Sequence, residues 1–395
     1  MREKINFLLE RGVEEVISLD SLREKLVKGK ILRIKYGIDP TTKEFHYGYL
    51  VNLLRLKILS ELGHKVIILL GGFTARFGDP TGKLKTRKLR SKEEVREAAK
   101  NYINCVKKII DLNNIEIRDN SEWYDRMSAE ELLNLASHFS HARLIERDMF
   151  QQRIKEGKKI GIHELLYPIL QAYDSVVLKA DVAIGGFDQK FNELLGRELQ
   201  KEFGQPPQDI LLLKTLKGTD GKEKMSQSLK NTIPLDLSPE AQFSKIMSIP
   251  DSLIFEYFEL LTFVSNSEIE EMKNAIKKGA NPKDIKLRLA WEIIKELFGE
   301  KIANDSREYF VNVFSKKELS KAEIRIQRLP QREYKLKDLI FELKLVNSKS
   351  EAQRLVKEGA VEINSKIFKD PFEIIKLKGG EIVKVGKYRF IKIKI

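Results

Sequence analysis

Hydrophobic positions in the first half of the chain alternate between two rhythms. Residues 31–38 form a short β-type run that ends in the turn Asp39-Pro40-Thr41-Thr42. Residues 50–62 then show helical spacing. Residues 64–70 (HKVIILL) are almost continuously apolar up to Gly71-Gly72, the pattern of a parallel strand buried on both faces. Helical spacing returns at 93–112, 129–138 and 162–175; 180–184 reads as a strand and 192–203 as a helix. The alternation predicts an α/β fold, a Rossmann-like doubly wound parallel sheet. Its ligand crevice would lie beyond the carboxyl ends of the strands.

After Pro234 the rhythm is helical throughout, at 239–248, 253–263, 266–277, 282–298 and 305–314. A charged stretch at 315–333 reads as a linker. Residues 334–395 run helix, helix, short strands, with Gly379-Gly380 as a hairpin turn. The expected domains are therefore 1–235, with an inserted connective segment at about 120–180, an all-α domain at 236–325, and a small α+β domain at 334–395.

Composition narrows the picture. With 42% hydrophobic residues in 395, the chain can build a sizeable core, and it has no apolar run near the roughly 20 residues of a membrane span. The charged start, Met1-Arg2-Glu3-Lys4, lacks a signal peptide's apolar centre, and Cys105 is the single cysteine, so the cytoplasm is the expected compartment. The net charge of +14 makes a polyanionic partner plausible, although a Lys-, Ile- and Glu-rich chain is also what heat adaptation produces.

Three segments carry candidate chemistry. In Tyr36-Gly37-Ile38-Asp39-Pro40-Thr41-Thr42-Lys43-Glu44-Phe45-His46-Tyr47-Gly48-Tyr49 a strand ends in a tight turn and a His-x-Gly opens a helix, where glycine admits a ligand and the helix N-terminus favours phosphate. Lys222-Glu223-Lys224-Met225-Ser226-Gln227-Ser228 sets lysines and hydroxyls on a polar loop, suited to a leaving pyrophosphate. Tyr167, Gln171 and Asp174, spaced by four and three, share one helix face among apolar neighbours. That stripe is either wet or the wall of a small-molecule pocket, and its surroundings favour the pocket. Gly185-Gly186-Phe187-Asp188-Gln189 adds polar groups at the same rim.

Together these segments resemble the tyrosyl-tRNA synthetases of the first structural class, over essentially the whole chain. His46-Tyr47-Gly48-Tyr49 stands at the family's HIGH signature and Lys224–Ser228 at its KMSKS loop. Residues 185–192 with Gly196-Arg197 look like its GGxDQxxN…GR segment, and residues 76–83 like its GDPSG loop. The resemblance implies tyrosine, ATP with Mg²⁺, and tRNA as ligands, no protein-bound metal, and a homodimer. It implies that Asp79, Tyr167 and Gln171 hold the substrate ammonium, that Asp174 accepts from the phenol, and that Gln189 meets the carboxylate region. ATP would lie against Asp39, Thr41, His46, Gly48, Tyr49 and Asp188, with Lys224, Met225, Ser226, Gln227 and Ser228 closing on it. His46, Lys83, Arg87, Lys224 and Gln227 would be the catalytic set.

Three departures stand out. Tyr49 replaces the second histidine of HIGH, and Gln227 the second lysine of KMSKS, which removes a positive charge. In the commoner bacterial form a tyrosine two residues before the glycine also reads the substrate hydroxyl; here Lys35 stands there, and Tyr36, one place later, faces the other way on a strand. Tyr36 remains a candidate tyrosine contact. A second bacterial subgroup has Lys-x-Gly at this point, and the chain resembles it throughout.

Other residues have blander readings. His138 and His141 lie three apart, but one cysteine and no second pair make no zinc set. The basic run from Lys83 to Lys92 is a solvated face or, directly after Asp79-Pro80, a mobile phosphate loop. Trp123 and Trp291 are expected in the core.

Residues 331–395 hold 16 basic and 9 acidic residues, a net +7. They resemble the small RNA-binding domain named after a ribosomal small-subunit protein, which implies that Ser348, Ser350, Gln353, Arg354 and Lys357 face RNA. Gly359 would end their helix in the left-handed conformation. The rival readings are a tyrosyl-type paralogue of reduced or diverted activity, motivated by Tyr49 and Gln227, and a non-catalytic RNA-binding protein, motivated by the tail. A tryptophanyl relative is disfavoured by Asp174, to which an indole brings no hydroxyl.

Overall fold

The computed structural model describes the protein apart from Met1 and residues 81–88, 313–325, 331, 347, 365 and 387–388, and apart from the side chains of 326, 389 and 390. By contacts the described chain divides into two compact units. The first comprises Met1–Leu237 and Ser248–Phe298, the second Ser238–Met247 and Gly299–Ile395.

The first unit is built on a six-stranded sheet. Helices α1 (Arg2–Glu10) and α2 (Leu19–Val27) flank β1 (Val13–Ile17); then come β2 (Arg33–Ile38), α3 (Tyr47–Glu61), β3 (Lys65–Leu70), α4 (Thr74–Phe77), α5 (Lys92–Val106) and β4 (Ile115–Asp119). Helices α6 (Ser121–Tyr124), α7 (Ala129–Ser137), α8 (His141–Ile145), α9 (Asp148–Lys155) and α10 (Ile162–Leu178) lead to β5 (Val182–Gly186), α11 (Lys190–Glu202) and β6 (Asp209–Leu213). The strand order is β1-β6-β5-β2-β3-β4, all parallel except β1, which runs antiparallel to β6 at the edge.

The chain winds outward from β2 through β3 to β4, then returns to β5 and β6 on the other side. The order therefore reverses between β2 and β5, and a crevice opens at their carboxyl ends. Five of the six residues of β3 are buried, as the apolar run predicts. Helix α3 buries ten of its fifteen residues, each large apolar one contributing about 1.5–3 kcal/mol. Strands β1, β4 and β6 and the short helices α8 and α9 lie outside the elements read from the sequence. Strand β4 (IEIRD) is only half-buried and charged, so it carries no apolar run.

The helices expected as one domain at 236–325 are shared between the units. Helix α12 (Pro239–Met247) belongs to the second; α13 (Ile254–Leu261), α14 (Asn266–Lys277) and α15 (Pro282–Phe298) belong to the first, and α16 (Glu300–Phe310) to the second, where Phe243 of α12 packs on Phe310. No helix among the described residues is long and apolar enough to cross a membrane.

In the second unit β7 (Ile326–Arg328), β8 (Glu333–Lys335), α17 (Leu336–Glu342), α18 (Lys349–Lys357), β9 (Val361–Ile363), β10 (Lys366–Phe368), β11 (Ile374–Lys376), β12 (Ile382–Val385) and β13 (Arg389–Lys394) surround a core that includes Leu336, Leu339, Ala352, Val356, Val361 and Val383. Strand β7 pairs in parallel with β13, and Leu329 lies in that core, so the tail begins at least as early as Ile326 rather than at Tyr334. Gly379 and Gly380 do turn the chain, with φ of 90° and 95°, but they join no hairpin. Strand β11 pairs with β8, and β12 with β9 and β13. The alternation around the two glycines identifies a turn, whereas pairing is decided by which apolar faces reach the core.

Candidate active site

A cavity of about 630 Å³ opens at the crevice between β2 and β5, within the first unit. Every sequence-predicted tyrosine or ATP contact lines it: Tyr36, Asp39, Thr41, His46, Gly48, Tyr49, Asp79, Tyr167, Gln171, Asp174, Asp188, Gln189 and 224–228. Lys83 and Arg87 lie outside the described residues, as does most of the basic run that contains them.

Helix α3 begins at this crevice. His46 is its N-cap, and its Nδ1 accepts from the Gly48 N–H at 3.1 Å. A Cβ on Gly48 would lie 2.9 Å from the imidazole Cε1, so glycine is what lets the ring fold back over the helix start. Burial lowers the His46 pKa to about 4, and at neutral pH the ring is an uncharged hydrogen-bonding group. Tyr49 stacks on Phe45 with centroids 4.5 Å apart and packs against Tyr102 of α5, so the residue that departs from the signature is an aromatic wall.

Backbone pairing brings the two signature segments together. Tyr47 N donates to Ile233 O at 3.0 Å and Leu235 N to Phe45 O at 2.8 Å. The loop between β6 and this pairing is held by buried Asn231, which accepts from Ser226 N and donates to Asp220 and to Lys224 O. Lys224 Nζ reaches Asp188 Oδ2 at 2.9 Å, tying the loop to the rim after β5. Gln227 Nε2 donates to Glu44 O at 2.5 Å, just before His46. If the resemblance to tyrosyl-tRNA synthetases holds, Gln227→Lys should leave tyrosine affinity alone and raise the rate of adenylate formation up to about tenfold, ~1.4 kcal/mol of transition-state stabilisation, because the restored charge would meet phosphate as negative charge develops. Pre-steady-state kinetics decides this; a slower variant would show that the Glu44 anchor outweighs the charge.

The α10 side of the cavity is a polar network in apolar surroundings. Asp39 Oδ2 accepts from the Tyr167 hydroxyl at 2.9 Å, and its Oδ1 from Thr74 Oγ1 at 2.8 Å. A Cβ on Gly71 would sit 1.9 Å from that Oδ1, so the glycine at the end of β3 makes room for the carboxylate. Asn120 bridges Thr74 (2.9 Å) and Asp174 (3.3 Å). Trp123 Nε1 donates to Asp174 Oδ1 at 3.1 Å. Trp123 is half-buried and does both jobs: its ring packs on the buried cluster of Ile67, Leu69 and Leu178, as expected of a core residue, while its N–H reaches Asp174. Trp291 is half-buried as well, with Lys295 over its ring at 4.6 Å. Burial pushes the Asp174 carboxyl up to about 7, opposed by the Lys35 ammonium and by hydrogen bonds from Tyr124, Asn120 and Trp123. Further along, Gln189 Nε2 donates to Asp79 Oδ2 at 2.8 Å, and Gln171 reaches both Gln189 (3.3 Å) and Glu193 (2.9 Å).

Tyr36 and Lys35 part company as strand alternation requires. Tyr36 lines the cavity on the α3 side, where Asn52 is its hydrogen-bonding neighbour and burial raises its pKa. Asp174 lies on the opposite side, toward which Lys35 points. Tyr36 therefore does not share Asp174's face of the sheet. Thr74, Asn120, Trp123 and Glu193, and Asn52 beside Tyr36, are among the site-forming residues that sequence reasoning missed. Only Glu193, next to Asn192 in the motif, stood where a local signal could have flagged it.

In the second unit, Ser350, Gln353, Arg354 and Lys357 share the face of α18 opposite buried Ala352 and Val356. Ser348 is the N-cap, accepting from Glu351 N at 3.1 Å, and Gly359 has φ +70° as expected.

A parallel sheet whose switch point carries a helix N-terminus, a lysine–serine loop and a buried amino-acid-sized network is the frame of a class I tRNA synthetase. The chain belongs to that family: the profile of "tRNA synthetases class I (W and Y)" matches residues 28–315, and an S4 domain matches 335–383. Within the family, its relatives are tyrosine–tRNA ligases. The chain is 45% identical to that of Carboxydothermus hydrogenoformans, over 98% of this chain and 96% of the relative, and 43% identical to that of Thermotoga maritima, with the same coverage. Among solved structures, the fold resembles a C-terminally truncated mitochondrial tyrosyl-tRNA synthetase from Aspergillus nidulans (TM-score 0.64, 21% identity, 79% of this chain and 94% of that one). It also resembles the Archaeoglobus fulgidus tyrosyl-tRNA synthetase complexed with L-tyrosine (TM-score 0.60, 24% identity, 78% and 99%).

Proposed function

We propose that this chain joins tyrosine to its tRNA in two steps at one site. A tyrosine carboxylate oxygen attacks the α-phosphorus of ATP, the bond to pyrophosphate breaks, and tyrosyl-adenylate forms. A hydroxyl of the tRNA's terminal ribose then attacks the adenylate carbonyl, and AMP leaves. No protein nucleophile is needed, so catalysis is positioning and electrostatic stabilisation of the phosphoryl transition state, with Mg²⁺ entering as part of the ATP complex.

The observation that carries the reading is Asp174, a buried carboxylate held by Trp123 and Asn120 where the ring hydroxyl of a bound tyrosine would end. Asp79, Gln171, Gln189 and Tyr167 then take the ammonium and carboxylate end. Neutral His46, the Gly48 N-terminus of α3 and Asp188 take the nucleotide, with Lys224 leaving Asp188 to meet the phosphates. Lys83 and Arg87 join them. Ser350, Gln353, Arg354 and Lys357 on α18 face the RNA. The protein acts as a homodimer in the cytoplasm. In support of the dimer, Phe73, Phe77, Met127, Leu132 and Leu166 line an apolar hollow of about 240 Å³, and their chain neighbours Leu133 and Ile162 are each 71% exposed.

Amino-acid-dependent ATP–pyrophosphate exchange across all twenty amino acids tests the proposal. Tyrosine alone should support exchange, and exchange with another amino acid but not tyrosine would overturn it.

A further inference from the structure

Beneath the cavity lies an ion pair that the reaction as described does not use. Lys35, 1% exposed, donates to Ser175 Oγ at 2.6 Å and to Glu193 Oε2 at 2.8 Å. Glu193 of α11 is itself 4% exposed and lines the cavity. Taking two charges out of water is costly, and well-packed apolar replacements for such pairs are often as stable or more so. Stability alone does not account for it.

What the pair does follows from one chemical fact: an ionised carboxylate can only accept hydrogen bonds. Gln171 must therefore turn its amide nitrogen toward Glu193 Oε1, 2.9 Å away, and its second N–H goes to Gln189 Oε1 at 3.3 Å. The Gln171 oxygen then faces Asn192, which must answer with its nitrogen, at 2.7 Å. Asn192 Nδ2 also reaches Gln189 Oε1 at 3.2 Å, and Gln189 in turn donates to Asp79 Oδ2 at 2.8 Å. On the other side, Gln208 Nε2 donates to Glu193 Oε2 at 2.9 Å.

Two side-chain oxygens record the cost of this order. Asn192 Oδ1 and Gln208 Oε1 are buried without a hydrogen-bond partner among the described residues. Flipping either amide would point an oxygen at the oxygens of Glu193, Gln171 or Gln189, so the orphaned carbonyl is the lesser cost. Both orphans have the same origin, the acceptor-only Glu193.

We propose that Glu193, paired with Lys35, sets the hydrogen-bond polarity of the amino-acid site, so that Gln171, Asn192 and Gln189 spend their N–H groups on one another and on carboxylates, and the Gln171 oxygen, which accepts one hydrogen bond here, keeps a lone pair for the substrate's ammonium. The inference rests on the tyrosine reading above. Glu193 and Lys35 are positioning residues that act through Gln171.

The test uses pyrophosphate exchange with tyrosine, and competition by 3-(4-hydroxyphenyl)propionate, which is tyrosine without its ammonium group. In Glu193→Gln, Lys35 claims the one remaining oxygen, the new amide nitrogen faces Gln171, and the polarity reverses. KM for tyrosine should rise about tenfold or more, the size of one lost charge-assisted hydrogen bond, while Ki for the des-amino compound and KM for ATP stay within about twofold. Lys35→Met/Glu193→Gln removes the demand that drives the reversal, and should recover part of the tyrosine affinity. Equal weakening of tyrosine and its des-amino analogue would reduce the pair to a structural role and overturn the proposal, as would an unchanged tyrosine KM in Glu193→Gln. Wild-type protein that shows no tyrosine-dependent exchange would instead overturn the reading beneath it.

Discussion

Asp174→Ala should erase most of the enzyme's preference for tyrosine over phenylalanine. A site built around a substrate hydroxyl rejects the analogue without it by about 10⁴–10⁵, a magnitude known from tyrosine-specific synthetases and not obtained from this site. The physical reason is present here. Phenylalanine would leave the Asp174 carboxylate, 4% exposed, with Trp123 and Asn120 as donors but nothing from the ligand side. A buried carboxylate left one donor short costs more than a missing contact at the surface. With alanine there is no carboxylate to disappoint, and tyrosine loses what phenylalanine never had. The ratio of kcat/KM for the two amino acids in pyrophosphate exchange measures it, and a variant that still excludes phenylalanine as well as wild type would refute the assignment.

The pH arm of the same experiment has a definite sign. Burial holds the Asp174 carboxyl at about 7, so tyrosine preference should decline as pH falls through about 7 and the strong acceptor becomes an acid. The charged and titratable groups facing it are Lys35 from β2, Glu193 beside Lys35 on α11, Tyr124 from α6, and Tyr167 on its own helix. The two phenols stay neutral, since burial raises both. For stability the direction is the reverse of a salt-bridged carboxylate. With the folded value above the unfolded one, folding loses free energy as pH rises from about 4 to about 7. Asp174→Asn should accordingly raise Tm at about pH 8 and leave it unchanged at about pH 4.

Removing residues 326–395 should spare tyrosine activation and reduce tRNA charging by about 100-fold or more, through lost phosphate contacts. The cut falls at 326 because β7 pairs with β13 and Leu329 is in the tail's core; a cut at 334 would leave an unpaired strand and a stranded leucine. The tail holds none of the residues lining the cavity, and its core is made of its own side chains. Residues 331–395 carry a net +7, and each neutralised phosphate steepens the fall of log K with log salt, by about 0.9 on B-DNA and about 0.7 on single strands. The truncated protein should thus bind tRNA more weakly and with a shallower salt dependence. Both activities are to be measured on one folded preparation; equal loss of both would mean that the tail supports the catalytic unit, and its role as an RNA-binding appendage would be withdrawn.

What the sequence by itself determined is what depends on neighbours along the chain. The apolar run of β3, the helical spacing of α10 and α11, and the His-x-Gly start of α3 are local patterns, and local patterns fix an element and the face each side chain takes. That Tyr36 and Lys35 point to opposite sides was readable for this reason, and so was the common face of Tyr167, Gln171 and Asp174. The described motif residues then line one cavity, because the topology puts the ends of β2 and β5 side by side. Tertiary structure alone decided what each of those side chains meets. Trp123 reaches Asp174 across 51 residues, Thr74 reaches Asp39 across 35, and Lys35 finds Glu193 across 158. A hydrogen bond needs its partners within about 3 Å. That distance is set by how helices pack on a twisted sheet, and no period along the chain encodes it. The same holds for the tail, where a three-residue strand too short to leave a pattern, β7, became part of the domain by pairing with the last strand, β13.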